Sequence, residues 1–115
     1  MEVAGNEQGL LGIAVDPGWP ERPYAYVYFD HLGSSAIRVA LFRAEGDITG
    51  GGGGGLAFDA ASEYDLLADI PDRYGNHNGG TLRIGPDGML YASAGDDAMR
   101  CAAQDTADLR GKVLR

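Results

Sequence analysis

The sequence is short of cysteine, of basic side chains and of long apolar runs. Its one cysteine, Cys101, cannot form a disulfide within the chain, and no Cys/His spacing typical of a zinc site is present. We expect Cys101 to be a small, semi-buried residue, with a reactive thiol as the alternative. Nine basic residues stand against 17 acidic ones, and this net charge of −8 argues against a nucleic-acid or phosphate-binding face.

Long apolar segments are also absent. No run approaches the ~20 residues of a transmembrane helix, so no membrane span is predicted. The opening "MEVAGNEQGLLG" has neither a basic n-region nor an apolar h-region, and no signal peptide is visible; an export signal upstream of Met1 stays open. Hydrophobic residues are 44% of the 115 residues, which is enough for the core of one domain.

What the sequence does contain is a series of short apolar and β-branched runs separated by Gly, Pro and Asp, the pattern of β-strands. The runs cover residues 10–15, 24–29, 36–42, 64–70, 81–84 and 89–93, and a last one begins at Val113. "GPDG" predicts a tight antiparallel hairpin between the fifth and sixth runs. Residues 99–109 predict at most a turn or two of helix, capped by Asp105 or Thr106.

Two hairpins resemble each other and indicate a weak internal repeat of roughly 70 residues. "GLLGIAVDPGWPERPYAYVYFD" and "GTLRIGPDGMLYASAGD" share an apolar strand, a proline turn and a Tyr-bearing strand that ends in Asp. The repeat predicts one four-stranded propeller blade over residues 9–70, with a solvated glycine insert at 50–55, and a second blade beginning at 76–115. The chain is therefore expected to be all-β, with about one and a half to two blades of a longer propeller, since closure needs ~4–8 blades.

His77 is the strongest candidate for chemistry. It stands between two asparagines and ahead of two glycines, just before a strand, so its loop is expected at a strand end. An imidazole exchanges a proton near neutral pH, Asn76 and Asn78 are candidates to orient it, and the glycines leave space for a flat ligand or another backbone. A purely structural loop histidine is the alternative, and it is the interpretation we adopt for His31.

Two adjacent acids, Asp96 and Asp97, follow the strand that pairs with the one after His77. Antiparallel pairing around the "GPDG" turn predicts that His77 and Asp96 open onto the same face. The two carboxylates are also candidates for a Ca²⁺ site, although no EF-hand spacing is present. Solvated loop acids are the alternative.

Three segments, "EQGLLGIAVDPGWPERPYAYVYF", "NHNGGTLRIGPDGMLYASAGD" and "AQDTADLRGKVLR", follow one another in the order found in a known family. Together they closely resemble the soluble glucose/sorbosone dehydrogenases, six-bladed quinoprotein propellers that use pyrroloquinoline quinone. The resemblance implies a periplasmic or secreted protein that oxidises a sugar hydroxyl, with a sugar and an electron acceptor as partners and with the quinone and Ca²⁺ as cofactors.

The resemblance also implies roles for particular residues. His77 matches the family's catalytic base, which removes the proton of the sugar hydroxyl while hydride passes to the quinone, and Asp96 matches an acid facing the cofactor. Asn76 stands where glucose-oxidising members have Asp, which leaves the base without that carboxylate, and Glu7 stands where they have Gln. No metal ligand is assigned. A structural stretch follows at Gln104, Asp105, Leu109, Gly111 and Lys112.

Two further hypotheses remain beside the enzyme. The departures at Asn76 and Glu7 favour a non-enzymatic extracellular binding module of the same family, and a propeller scaffold without a ligand is the third possibility. The basic residues that grip the quinone's carboxylates have no counterpart in this sequence. We therefore expect the 115 residues alone to be inactive, to bind the quinone weakly and to self-associate through open strand edges.

Overall fold

The structure, a computed structural model, describes residues 7–31 and 33–115. It is built from antiparallel strands with one short 3₁₀ turn, which confirms the all-β prediction. The strands are β1 (Leu10–Val15), β2 (Tyr24–Asp30), β3 (Ala36–Glu45), β4 (Ala57–Pro71), β5 (Gly79–Ile84), β6 (Leu90–Ala94) and β7 (Lys112–Leu114). None of the helical structure within these residues is long and apolar enough to cross a membrane.

The strands form two sheets in chain order. One sheet has four strands in the order β1-β2-β3-β4, and the other has three in the order β5-β6-β7. All the pairings between strands that follow one another in each sheet are antiparallel. The two hairpins that resemble each other in sequence, β1–β2 and β5–β6, therefore begin the two sheets.

β4 is much longer than the predicted run over residues 64–70. It begins at Ala57 and pairs with β3 through three shifts of register. Most of its side chains are exposed, and its first half lacks the apolar alternation by which a strand is recognised.

The residues after β6 also differ from expectation. Only Ala102–Gln104 form a 3₁₀ turn, and Asp105 lies at its C-terminal end instead of capping its start. The Lys112 ammonium donates to the carbonyls of Ala102 and Ala103 and satisfies the end of that turn. Cys101 is exposed, so its expected semi-buried position is wrong.

The main core lies between the two sheets. It joins Tyr28, Ile37, Val39 and Ile70 of the first sheet to residues of the second, namely Leu82, Ala92 and Ala94. The opposite face of the first sheet carries a smaller cluster of Val27, Phe29 and Ala40 with Phe42 against it. The alternation of β2 thus sends Tyr28 towards the second sheet and Val27 and Phe29 away from it.

β1 and β5 meet where both strands carry glycine. A Cβ on Gly12 would collide with the carbonyl oxygen of Gly80, and a Cβ on Gly80 would come within 2.6 Å of the Leu11 Cβ. Of the two uses expected for the glycines after His77, the structure shows the approach of another backbone. This contact seats the start of the second sheet on the first and so fixes the position of the loop that precedes β5.

Candidate functional site

His77 and Asp96 lie side by side at one edge of the second sheet. Gly79 of β5 pairs with Ala94 of β6, so the residues just before β5 lie opposite those just after β6. The His77 Nδ1 is 2.9 Å from the Asp96 Oδ1. The expectation that these two side chains share a face is confirmed, and the register of a single hairpin is its cause.

The hydrogen bond between them defines the state of the imidazole. Because a carboxylate only accepts, the Nδ1 of His77 donates, and in the neutral ring the Nε2 is then the acceptor. The bond from His77 lowers the pKa of the Asp96 carboxyl below its ordinary value, so Asp96 is ionised at neutral pH. The His77 side chain is 58% exposed, and its ring is therefore accessible from solvent.

The backbone at this edge is unusual. His77, Asp97 and Ala98 have φ angles of 57°, 53° and 53°, in the left-handed region that side chains other than glycine rarely occupy. Such conformations cost of order 1–3 kcal/mol each and persist only where the surroundings impose them. Their presence on both sides of the His77–Asp96 contact indicates a segment shaped for that contact.

Glu7 holds the backbone of His77. Its carboxylate accepts the His77 N–H at 2.6 Å, which places Glu7 near the site, as the resemblance implied. Neither asparagine side chain makes the expected hydrogen bond to the imidazole within the described residues. The Asn76 Oδ1 is buried without a hydrogen-bond partner among the described residues, and the Asn78 amide donates to Asp30 and Asp72. Asp96 provides the carboxylate that was expected to be missing because of Asn76.

Asp97 is held by protein donors. Its buried carboxylate accepts the N–H groups of Arg73 and Tyr74 at 2.9 Å and pairs with the Arg110 guanidinium at 3.1 Å. Three protein donors thus occupy most of the roughly four acceptor sites of this carboxylate, which leaves little of it to ligate Ca²⁺. No group of three or more His, Cys, Asp or Glu side chains in the part of the chain described here is arranged to hold a metal ion.

Sequence reasoning missed a second layer beneath the loop. Asp30 at the end of β2 and Asp72 just after β4 are buried, and the Asn78 amide bridges them. The only signal in the sequence was an acidic residue at the end of each of these two strands. An acid in that position is usually a solvated turn residue, so it did not indicate a buried pair. His31, in contrast, bonds the Ser34 hydroxyl at 3.0 Å, outside this layer.

Comparison with known proteins gives a consistent result. A family model described as Glucose / Sorbosone dehydrogenase matches residues 2–115. A crystal structure from Thermus thermophilus, provisionally assigned as an oxidoreductase (glucose dehydrogenase), is 37% identical with a TM-score of 0.81 over 98% of this chain and 32% of its own. The PQQ-bound form of aldose sugar dehydrogenase from Streptomyces coelicolor is 32% identical with a TM-score of 0.79, over 98% of this chain and 31% of its own.

An uncharacterized protein of Synechocystis, slr1608, is 27% identical over 97% of this chain and 28% of its own length. The chain thus spans about a third or less of the relatives it matches. Its two sheets correspond to part of a β-propeller, as the internal repeat predicted.

Proposed function

Because this chain belongs to the glucose/sorbosone dehydrogenase family, we propose that the whole protein oxidises the hydroxyl of an aldose or sorbosone-type sugar, with His77 as the base. The observation that carries the proposal is the contact between His77 Nδ1 and Asp96 Oδ1 at 2.9 Å, on an imidazole whose far side is accessible. A carboxylate that holds an imidazole in one orientation, with the other ring nitrogen free to take a proton, is the arrangement of a general base.

The proton leaves the sugar hydroxyl and arrives at His77 Nε2. The imidazolium that forms is stabilised by the Asp96 carboxylate, whose lowered pKa keeps it ionised while the proton is held next to it. The carbon that bore the hydroxyl loses its hydrogen with the electron pair and becomes a carbonyl carbon. Pyrroloquinoline quinone, the cofactor named for the Streptomyces relative, would supply the two-electron oxidant when bound.

This segment fits the sugar better than it fits the quinone. The side chains that hydrogen-bond His77 among the described residues are the carboxylates of Glu7 and Asp96, whereas an anionic quinone needs cationic or N–H donors for its carboxylates. A neutral sugar hydroxyl is compatible with such surroundings. We therefore assign no cofactor ligand to this chain and propose that other parts of the protein bind the quinone.

The test uses the whole protein loaded with pyrroloquinoline quinone and Ca²⁺, a series of aldoses, and reduction of a dye. We expect His77→Gln to lower kcat by about 10²-fold or more, since general-base catalysis contributes 10²–10⁴-fold. His31→Gln is the matched control and should leave kcat unchanged, because His31 contacts Ser34 instead of the proposed base. Full activity in His77→Gln would contradict the proposal. Sugar binding by a wild-type protein that reduces no dye would support the binding module instead.

A further inference from the structure

A buried pair of carboxyl groups lies beneath the His77 loop. Asp30 and Asp72 are each 5% exposed, and Asn78, the residue after His77, is 3% exposed. The Asn78 Nδ2 donates to Asp30 Oδ1 at 3.1 Å and to Asp72 Oδ1 at 3.3 Å. One amide group therefore joins the end of β2, the end of β4 and the start of β5.

The other donors to the pair come from segments that flank the base. The Gly75 N–H donates to Asp72 Oδ1 at 3.2 Å, and the Gln8 side-chain amide donates to Asp72 Oδ2 at 2.6 Å. The Gly9 N–H donates to Asp30 Oδ2. Gln8 follows the glutamate that accepts the His77 N–H, so the carboxyl pair is tied to the chain on both sides of the imidazole.

This network explains how His77 keeps its left-handed backbone. A histidine at φ 57° returns to an ordinary conformation unless its neighbours are fixed. Asn78 is fixed by its side chain at the acid pair and by its carbonyl, which accepts the Tyr28 hydroxyl at 2.8 Å. The Gly75 N–H is fixed by Asp72, so the loop is fastened just before and just after the imidazole.

We propose that Asp30 and Asp72, acting through Asn78, are positioning residues for His77 that keep its ring against Asp96. As a statement about catalysis this rests on the proposed function; as a statement about the orientation of the imidazole it does not. The acids do not touch the reacting atoms. They act by holding the one backbone conformation in which His77 Nδ1 meets Asp96.

The composition of the network agrees with a positioning role. Burial, and then the hydrogen bond and charge of Asp72, raise the pKa of Asp30 to about 6. Burial and the same two acids also raise the pKa of the Tyr28 hydroxyl. His31 and Arg73 line the polar cavity of about 380 Å³ that adjoins the pair. Burying two carboxyl groups that are held mainly by neutral amides is costly. If this region served only as a core, apolar residues in place of the two acids would stabilise it better.

The test changes the bridge and observes His77 directly. Asn78→Ala removes both amide contacts and keeps the backbone carbonyl. In the whole protein with ¹⁵N-labelled histidine, we expect the His77 ring to shift from the Nδ1–H form to the Nε2–H form that predominates without a partner. The kcat for sugar oxidation should fall by about 10²-fold, the loss typical of an ~1 Å misplacement, with the KM for the sugar little changed.

Asp72→Ala and Asp72→Asn provide the conservative rescue. Asn at position 72 keeps the oxygen that accepts from Gly75 and Asn78, and the Gln8 side-chain amide can rotate so that its oxygen accepts from the new NH₂ group. Asp72→Asn should therefore retain the wild-type ring signal, whereas Asp72→Ala should lose it. Tyr26→Phe removes a hydrogen bond from β2 to Asp16, the residue after β1, and serves as the control with an unchanged ring signal.

Two results would overturn the proposal. One is a wild-type His77 ring signal and kcat in both Asn78→Ala and Asp72→Ala. The other is a kcat that falls only in proportion to the folded fraction while the ring signal of the folded protein stays unchanged, because that would show a purely structural role. If the wild-type protein oxidises no sugar, the proposed function fails. The tautomer shift in Asn78→Ala would then still support positioning, and its absence would still overturn it.

Discussion

Gly95→Ala should separate the two residues of the candidate site without altering either of them. Gly95 links β6 to Asp96 and packs against the backbone of the His77 loop. A Cβ at this position would lie well within 3.0 Å of the His77 carbonyl, a separation that real Cβ atoms essentially never show, and 3.1 Å from the Asn78 carbonyl carbon. The obstacle is backbone, so no side chain can turn away to accommodate the methyl group.

The size of the effect follows from what must move. The His77 peptide has to retreat by roughly 1 Å or more, and a misplacement of that size costs about 10²-fold in rate. The same movement breaks the bonds from the Gly95 N–H to Asn78 O and from the Asp97 N–H to His77 O, which are 3.1 Å and 3.3 Å long. Two bonds at about 1 kcal/mol each, with overpacking of about 1–3 kcal/mol, predict a loss of about 3–5 kcal/mol in the free energy of unfolding.

The assay compares urea unfolding and dye-linked sugar oxidation of the whole protein with those of a matched variant, Gly53→Ala. At Gly53 a Cβ would meet only the Asp47 Oδ2 at 3.7 Å, an ordinary contact, so the same substitution should change stability by less than about 0.5 kcal/mol. If Gly95→Ala unfolds at the same urea concentration as Gly53→Ala and keeps its kcat, the close approach of the two loops does not hold the site together.

Three further substitutions test the network around the loop. Arg110→Met should lower the free energy of unfolding by about 3–5 kcal/mol in urea melts, because the buried Asp97 carboxylate loses its cation; a loss below about 1 kcal/mol would show that the pair is effectively solvated. Asp30→Asn should flatten the dependence of stability on pH. Burial and then a neighbouring carboxyl raise the Asp30 pKa from 3.8 to about 6, so the stability this group contributes is present below pH 3.8 and lost as pH rises through about 6. Parallel pH curves for Asp30→Asn and the wild type would contradict that account. Tyr28→Phe should cost only about 0.5–1.5 kcal/mol in the same melts, because the Asn78 carbonyl keeps a second donor; a loss above about 3 kcal/mol would show that this donor does not compensate.

The strands were predictable where one face of a strand is buried. β1, β2 and β3 begin at the predicted residues, and the "GPDG" turn joins β5 to β6, because apolar alternation and turn chemistry are local properties of the sequence. β4 was only half predicted. Its first half pairs with β3 through the backbone while its side chains remain exposed, and hydrogen bonds of the backbone leave no trace in composition.

The pairing of His77 with Asp96 was predictable for a similar reason. Both residues belong to one hairpin, and its register follows from a tight turn whose position is visible in the sequence. The functions of Asn76 and Asn78 were not predictable. His77 has a left-handed backbone, and the Asn78 side chain beside it bonds Asp30 and Asp72, so proximity in sequence gave the wrong partner for the imidazole.

The two similar hairpins place an acid at the same position, but the two acids have different partners. In both hairpins the second strand leads to an acid, Asp30 in the first and Asp96 in the second, yet the two carboxyl groups do different things. Asp30 is covered by the loop that starts the second sheet and accepts from Asn78, 48 residues away, whereas Asp96 stays accessible to solvent and accepts from His77 within its own hairpin. Asp30 is covered because β5 packs against β1 through the close approach of Gly12 to Gly80, which brings Asn78 over the end of β2. A repeat therefore predicts where a carboxyl group will stand, while the packing around it decides whether it supports the loop or contacts the imidazole.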